Sequence, residues 1–372
     1  MKEQQENKGQ NVQPDTIDKY YETIIIGGGQ AGLSVGYGLL KKGRSFLILD
    51  DSKKIGDAWR NRWDSLRLFT PAYLNKLDGM QLPGNQHTLI TKDEMADYLE
   101  AYAQRFKLPI QSDVRVERLY KQGNHFIVSA GDKIYQSKNV VVAVSSFQTP
   151  RIPEFAKEIN PSVVQLNTKD YRNPSQLKEG KVLIVGAGNS GAEIALDVVK
   201  EHQTFVSGRD VGHIPFRIET AIARYLLIRL VRFFGHNILN TSTPMGRRLR
   251  PRLLHSGGPL VRTKPKDLTN AGIERVARVS SVKNGLPILA DNRVLEVENI
   301  IWCTGFSPGF SWIELPVLDE KGEPFHKRGI IGSEPGLYFV GLHFLYAVTS
   351  ATVTGMKRDA RYIIKQIVNA KD

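Results

Sequence analysis

The chain has 372 residues, enough for two domains and more than one ordinary core accommodates. Hydrophobic residues make up 41% and charged residues 24%, a soluble globular balance, and no run approaches the roughly 20 uninterrupted apolar residues that span a bilayer. The formal net charge is +13, yet the basic residues do not interleave with aromatics on a recognisable nucleic-acid module, so nucleic acid is not an expected partner.

Met1 to Tyr20 are polar without an apolar core, unlike a signal peptide, and read as a disordered lead-in. A β-branched run, Glu22–Ile26, then leads into Gly27-Gly-Gly-Gln-Ala-Gly32, an amphipathic helical stretch and a second strand, Arg44–Asp50. Gly56–Pro71 is too rich in aromatics and arginines for a linker. Thr91–Phe106 predicts a helix with Thr91 as N-cap and Glu94 closing a capping box. Asp113–Leu119 and His125–Ala130 predict a hairpin across Gly123-Asn124, and Asn139–Val144 a buried strand. Pro150, Pro153, Pro161 and Pro174 then punctuate a linker.

The second half opens by repeating the first. Lys181–Val185 leads into Gly186-Ala-Gly-Asn-Ser-Gly191, a helix, and a strand from Thr204 to Arg209. Asp50 lies 23 positions after Gly27, and Arg209 lies 23 positions after Gly186. Most of the basic excess lies between Arg209 and Arg278, where it either attracts a polyanionic dinucleotide or forms a solvated face. Within it, residues 221–234 are apolar with Arg224, Arg229 and Arg232 interspersed. The pattern suits a basic helix lying on an anionic membrane, a helix roofing a substrate tunnel, or one packed on a partner subunit. The chain leaves oligomeric state open, a homodimer included. Ile300–Gly305 and Leu337–Gly341 predict strands running into glycine turns, and Thr349–Asn369 a closing helix. Cys303 is the only cysteine, which excludes an intramolecular disulfide or a CxxC pair and points to the cytoplasm. It reads as a small apolar filler.

The repeated strand–GxGxxG–helix unit is a dinucleotide cradle. Gly27 and Gly186 allow the tight turn, Gly29 and Gly188 let backbone N–H groups approach a pyrophosphate, and Gly32 and Gly191 let helix and strand pack closely. Gln30, Ala31, Asn189 and Ser190 then supply N–H donors at a helix N-terminus. Asp50 can bridge the hydroxyls of an adenosine ribose, as in FAD. Arg209, with Ser207 beside it, suits a 2′-phosphate, so the second site is expected to take NADPH over NADH, the alternative being that Arg209 is an ordinary surface arginine. The fold class expected is α/β, with two Rossmann-like dinucleotide-binding domains, the second inserted into the first. The FAD-binding domain would span 21–150 and 298–372, and the NADP-binding domain 151–297.

Over roughly residues 21 to 370 the sequence resembles the flavin-containing monooxygenase superfamily, in particular its bacterial CzcO-like branch, related to plant YUCCA enzymes. The likeness rests on Gly27–Gly32, Gly56–Pro71, Gly186–Gly191, Ile301–Pro308 and Tyr338–Gly341. It implies that FAD lies on the first glycine turn beside Trp59 and Arg60, that NADP lies on the second, and that Thr304-Gly305 marks the crossing between domains. Thr70, Val116 and Gly341 complete the expected cofactor set. The implied chemistry is reduction of FAD by NADPH, oxygen addition at flavin C4a, and transfer of one oxygen atom from the hydroperoxyflavin to a small, largely apolar substrate. The family fingerprint FxGxxxHxxx(Y/F) falls on Pro161–Tyr171, where only Tyr171 matches, and Pro71 stands where many animal-type members carry Asn. An NAD(P)H oxidase or dehydrogenase with little oxygen transfer, or a nucleotide-binding redox sensor, are the competing readings. No hydrolytic triad or metal site is expected, and no catalytic residue is assigned. His343 is the one candidate beside the flavin, either donating to a flavin carbonyl or satisfied by local backbone.

Overall fold

The computed structural model describes residues 19–256 and 258–370. The lead-in expected over 1–20 lies outside them except for Lys19 and Tyr20, which instead open the first strand, Lys19–Ile26, opposite Tyr135 and Gln136. That strand has parallel neighbours on both sides, Phe46–Leu49 and Lys133–Val142. From one edge the sheet runs Ile110–Gln111, Phe46–Leu49, Lys19–Ile26, Lys133–Val142, His125–Ala130 and Arg118–Gln122, and Leu337–Phe339 also pairs with Lys133–Val142. Alternate residues feed separate apolar layers: Ile25, Ile48 and Val141 face one side, Ile24, Leu47 and Val140 the other. Burial on both faces is why these strands read as unbroken apolar runs.

Helices Gln30–Leu40, Lys92–Arg105 and Val353–Asn369 cover the first face. The capping box forms: the Glu94 amide donates to Thr91 Oγ1 (3.1 Å) and the Thr91 amide to Glu94 Oε2 (2.7 Å). The hairpin turns at Gly123-Asn124, but its first strand starts at Arg118 rather than Asp113. The amides of Asp113 and Val114 are drawn away to Ser52 O and Asp50 O, tying this stretch to the end of the Phe46–Leu49 strand. The closing helix begins at Val353, four residues later than expected, because Thr352 caps it by accepting from the Gly355 amide.

The second sheet is parallel throughout, in the order Val164–Asn167, Asn299–Trp302, Val182–Val185, Thr204–Ser207, Glu274–Val276. This corrects one expectation. The strand near residue 300 completes the second sheet, not the first: Ile301 lies opposite both Leu166 and Ile184. Trp302 fixes it there, donating from Nε1 to Gln165 Oε1 (3.0 Å) and packing on Phe155. The chain crosses between sheets twice, and the crossings pair with each other as the short antiparallel strands Thr149–Pro150 and Phe306–Ser307. Among the described residues no helix is long and apolar enough to cross a membrane.

Candidate functional site

The two glycine turns are near copies. Gly27 (φ +106°) donates to Leu49 O at 2.7 Å, and Gly186 (φ +118°) donates to Ser207 O at the same distance. A side chain at either position would meet Ala143 or Cys303 backbone, and the left-handed φ strains any other residue. Gly32 and Gly191 lie beneath the carbonyls of Gly27 and Gly186, where even a methyl group would collide with the turn. Gly29 and Gly188 instead cap the helices Gln30–Leu40 and Asn189–Val198, and a Cβ on either would project into open space. The first N–H groups of each helix have no intrahelical acceptor and are free for an anion.

Both turns open into one cleft of about 1550 Å³, beyond the usual range for a single small ligand. Gly27, Gly29, Gln30, Ala31, Asp50, Trp59 and Gly341 line its first end. Gly186, Gly188, Asn189, Ser190, Ser207 and Arg209 line the second, while Thr304, Gly305 and His343 also reach the surface. Asp50 is preset by two backbone donors, Gly28 N on Oδ2 (2.5 Å) and Ser52 N on Oδ1 (3.0 Å), and each oxygen retains acceptor capacity. Trp59 Nε1 donates to Gln30 Oε1 at 3.2 Å, joining the Gly56–Pro71 segment to the first turn. Asn189 holds a loop over the second turn, donating to Pro259 O (2.9 Å) and accepting from Val261 N (2.8 Å). Thr304 Oγ1 donates to Arg151 O, and Arg151 N to Gly305 O (2.9 Å), bracing the crossing.

Four expected positions are placed differently. Arg60 points away from the cleft, bonded to Asp57 (3.1 Å), Asp97 (2.9 Å) and Glu100 (2.6 Å). The three carboxylates hold the guanidinium and make Arg60 a tie between helices Asp57–Arg60 and Lys92–Arg105. Thr70 Oγ1 donates to Asn75 Oδ1 (2.6 Å), and Val116 packs on the core of the first sheet; neither lines the cleft. Ser207 reaches the cleft edge, but its hydroxyl donates to Ala277 O (2.9 Å) and accepts from Val279 N (3.0 Å). These bonds make it a brace for the 277–279 segment.

That segment brings in Arg278, which sequence reasoning passed over as the end of a basic run. It is exposed on the same cleft edge as Arg209, which has no hydrogen-bond or ion-pair partner among the described residues. The signal available in the sequence was only another arginine; the Ser207 bonds decide its placement. His343 lies against Phe147, and its ring nitrogens have no partner among the described residues, so local backbone does not satisfy it. Burial, reinforced by Arg250, holds its pKa below the usual histidine value, keeping the ring neutral at pH 7. Cys303 lies along the cleft, half-buried, and burial pushes its thiol above the usual cysteine value, which disfavours the thiolate. No group of three or more His, Cys, Asp or Glu side chains able to hold a metal occurs among the described residues.

A family model described as pyridine nucleotide-disulphide oxidoreductase matches residues 24–212. An uncharacterized oxidoreductase, CzcO-like, from Geobacillus kaustophilus is 40% identical over 94% of this chain and 98% of that protein. The chain belongs to the flavin-containing monooxygenase superfamily, in its CzcO-like branch. Indole-3-pyruvate monooxygenase YUCCA1 of Oryza sativa subsp. japonica is 27% identical over 92% of this chain and 90% of that one. The structure of a flavin-containing monooxygenase from Stenotrophomonas maltophilia matches with a TM-score of 0.75 and 27% identity, covering 94% and 98% of the two chains. The chain is therefore an NAD(P)H-dependent flavoprotein oxidoreductase. Cys303 has no partner cysteine in the sequence, so no CxxC pair accompanies the match.

Proposed function

We propose that the chain is a monooxygenase that oxidises NADPH and oxygenates a small, largely apolar substrate. The observation that carries this reading is that both glycine cradles face one cleft, so two dinucleotides held there would meet within it. The residues fit the groups: open space above Gly29 and Gly188 admits a pyrophosphate, and the carboxylate of Asp50 is preset for a ribose diol. FAD, when bound, supplies the passage of electrons from NADPH to O2. The chain's part is placement. Helix N-termini at Gln30 and Asn189 hold the pyrophosphates, Asp50 the adenosine ribose of FAD, and Arg209 with Arg278 the 2′-phosphate. Trp59, Trp63, Leu66 and Phe69 give the cleft an apolar wall that excludes water and favours an apolar substrate. Neutral His343 offers a proton donor at the Gly341 end. By this reading the first sheet and its helices hold FAD, and the strands from Val164 to Trp302 hold NADPH, in the cytoplasm.

One observation favours a second reading, an oxidase. At the degraded fingerprint, Asn167 is bonded to Asp170 and to the Lys169 amide, and Tyr171 is buried with its hydroxyl on Asp197. Neither is available to the cleft from this arrangement. Anaerobic reduction by NADPH followed by mixing with oxygen and substrate separates the two. Oxygenated product in step with NADPH consumed supports the monooxygenase; peroxide in that amount with no product rejects it.

A further inference from the structure

From Thr220 to Lys266 the chain carries ten arginines and lysines and not one Asp or Glu. The structure folds the start of this stretch into a helical rod, a π-helical turn Ala223–Leu227 running into Ile228–Asn237. Only Ala223, Ile228 and Gly235 are buried, and they face the protein. The opposite side presents Ile222 (68% exposed), Leu226 (55%), Leu230 (46%) and Phe233 (57%), with Tyr225, Val231 and Phe234 on its flanks. The steps from 222 through 226 and 230 to 233 follow helical spacing, so these side chains form one ridge. The next helix, Pro244–Ser256, adds exposed Met245 beside Arg247 and Arg248. Exposed Arg229 and Arg232 border the ridge itself.

We propose that this ridge is a docking surface for an anionic phospholipid bilayer, which the protein meets peripherally. The chemistry is complementary. Apolar side chains on one helical face enter the acyl boundary, and the surrounding guanidinium groups meet lipid phosphates and carboxylates. A second copy of the chain fits poorly, because a two-fold contact sets the same arginines against each other with no acidic residue in the stretch to pair them. The rod is also held firmly enough to bear load. Tyr73 Oη donates to Arg224 O (2.9 Å), His236 Nδ1 bonds Thr349 Oγ1 (2.6 Å), and Arg358 donates to His236 O (3.0 Å). His343, Ala351 and Met356, from the same closing segment that supports the rod, line the cleft. Docking would thus set the cleft wall beside the lipid phase, where an apolar substrate concentrates.

Flotation of the FAD-loaded full chain with vesicles tests this independently of turnover. Wild type should float with phosphatidylcholine vesicles containing phosphatidylserine, remain behind with phosphatidylcholine alone, and release as salt rises. Arg229→Gln with Arg232→Gln should weaken capture by about fivefold per arginine, and Leu226→Glu with Phe233→Glu by on the order of tenfold or more per side chain. All four residues are exposed and outside the cofactor cradles, so flavin content should match wild type. Wild type left wholly in the soluble fraction with the anionic vesicles overturns the proposal. So does a concentration-dependent dimer in sedimentation that Phe233→Glu abolishes, which would give the ridge to a second copy instead.

Discussion

At the scale of single residues, the two cradles make separable demands. A Cβ at Gly29 would meet nothing within 4 Å, so Gly29→Val should fold and keep its secondary structure. Its side chain would occupy the space of the flavin-side pyrophosphate, and the purified protein should be colourless; yellow protein releasing FAD would remove that assignment. Arg209 has no protein partner among the described residues, which leaves its guanidinium for a phosphate. Arg209→Ala should raise KM for NADPH by about tenfold, the size of one charge-assisted contact, while NADH is used as before. Arg278→Ala should behave alike, and flavin reduction followed anaerobically with each coenzyme measures both. Ser207→Ala should act only through Arg278, since its hydroxyl is held by Ala277 and Val279.

At the scale of elements, the segment carrying Trp59 is one short turn, Asp57–Arg60, too short to be stable alone. It is pinned by Arg60, whose side chain is 24% exposed, to Glu100, equally buried, and to Asp97, which is 72% exposed. Solvent screens the Asp97 pair and leaves Glu100 as the effective tie. Glu100→Gln should therefore cost about 1–2 kcal/mol in urea unfolding, and Asp97→Asn well under about 1 kcal/mol. Loss of the tie should also weaken FAD retention, because Trp59 is joined to Gln30 at the first turn. The elements legible in advance were those whose signal is local: the capping box at Thr91, the hairpin turn at Gly123-Asn124 and both glycine turns. The hairpin's true start was not legible, because the amides of Asp113 and Val114 are claimed by the distant carbonyls of Ser52 and Asp50.

For the whole molecule, stability should depend on pH through Glu193, on the helix after the second glycine turn. Burial raises its carboxyl to about 7, with Arg262, 3.4 Å away, opposing the shift only in part. The unfolded chain releases this proton near 4.5, before the folded one does, so the folded state binds more protons between those values. Stability should then fall as pH rises through that window and level off above about 7. Glu193→Gln should flatten the slope of the urea midpoint between about pH 5 and about pH 7. An unchanged slope would mean that Glu193 is ionised in the folded protein.

The sequence by itself determined what rests on neighbours along the chain. Two β-branched strands, each followed by GxGxxG and a charged strand end, dictate two dinucleotide cradles, because glycine's conformational freedom and helix N-terminal donors act within a few residues. The α/β class and the family likeness follow from the same local patterns. Only the tertiary structure decided which side chains those cradles leave free. It assigned the strand Asn299–Trp302 to the second sheet through pairing with the distant strands Val164–Asn167 and Val182–Val185. It drew Arg60 to three carboxylates, took up the Ser207 hydroxyl in backbone bonds, and brought Arg278 to the cleft edge beside Arg209. It left the ridge from Ile222 to Phe234 exposed, where its periodicity alone suited a roof, a partner or a lipid surface equally. Hydrogen bonds and ion pairs are competitions among all groups within reach, and the sequence does not state who is within reach.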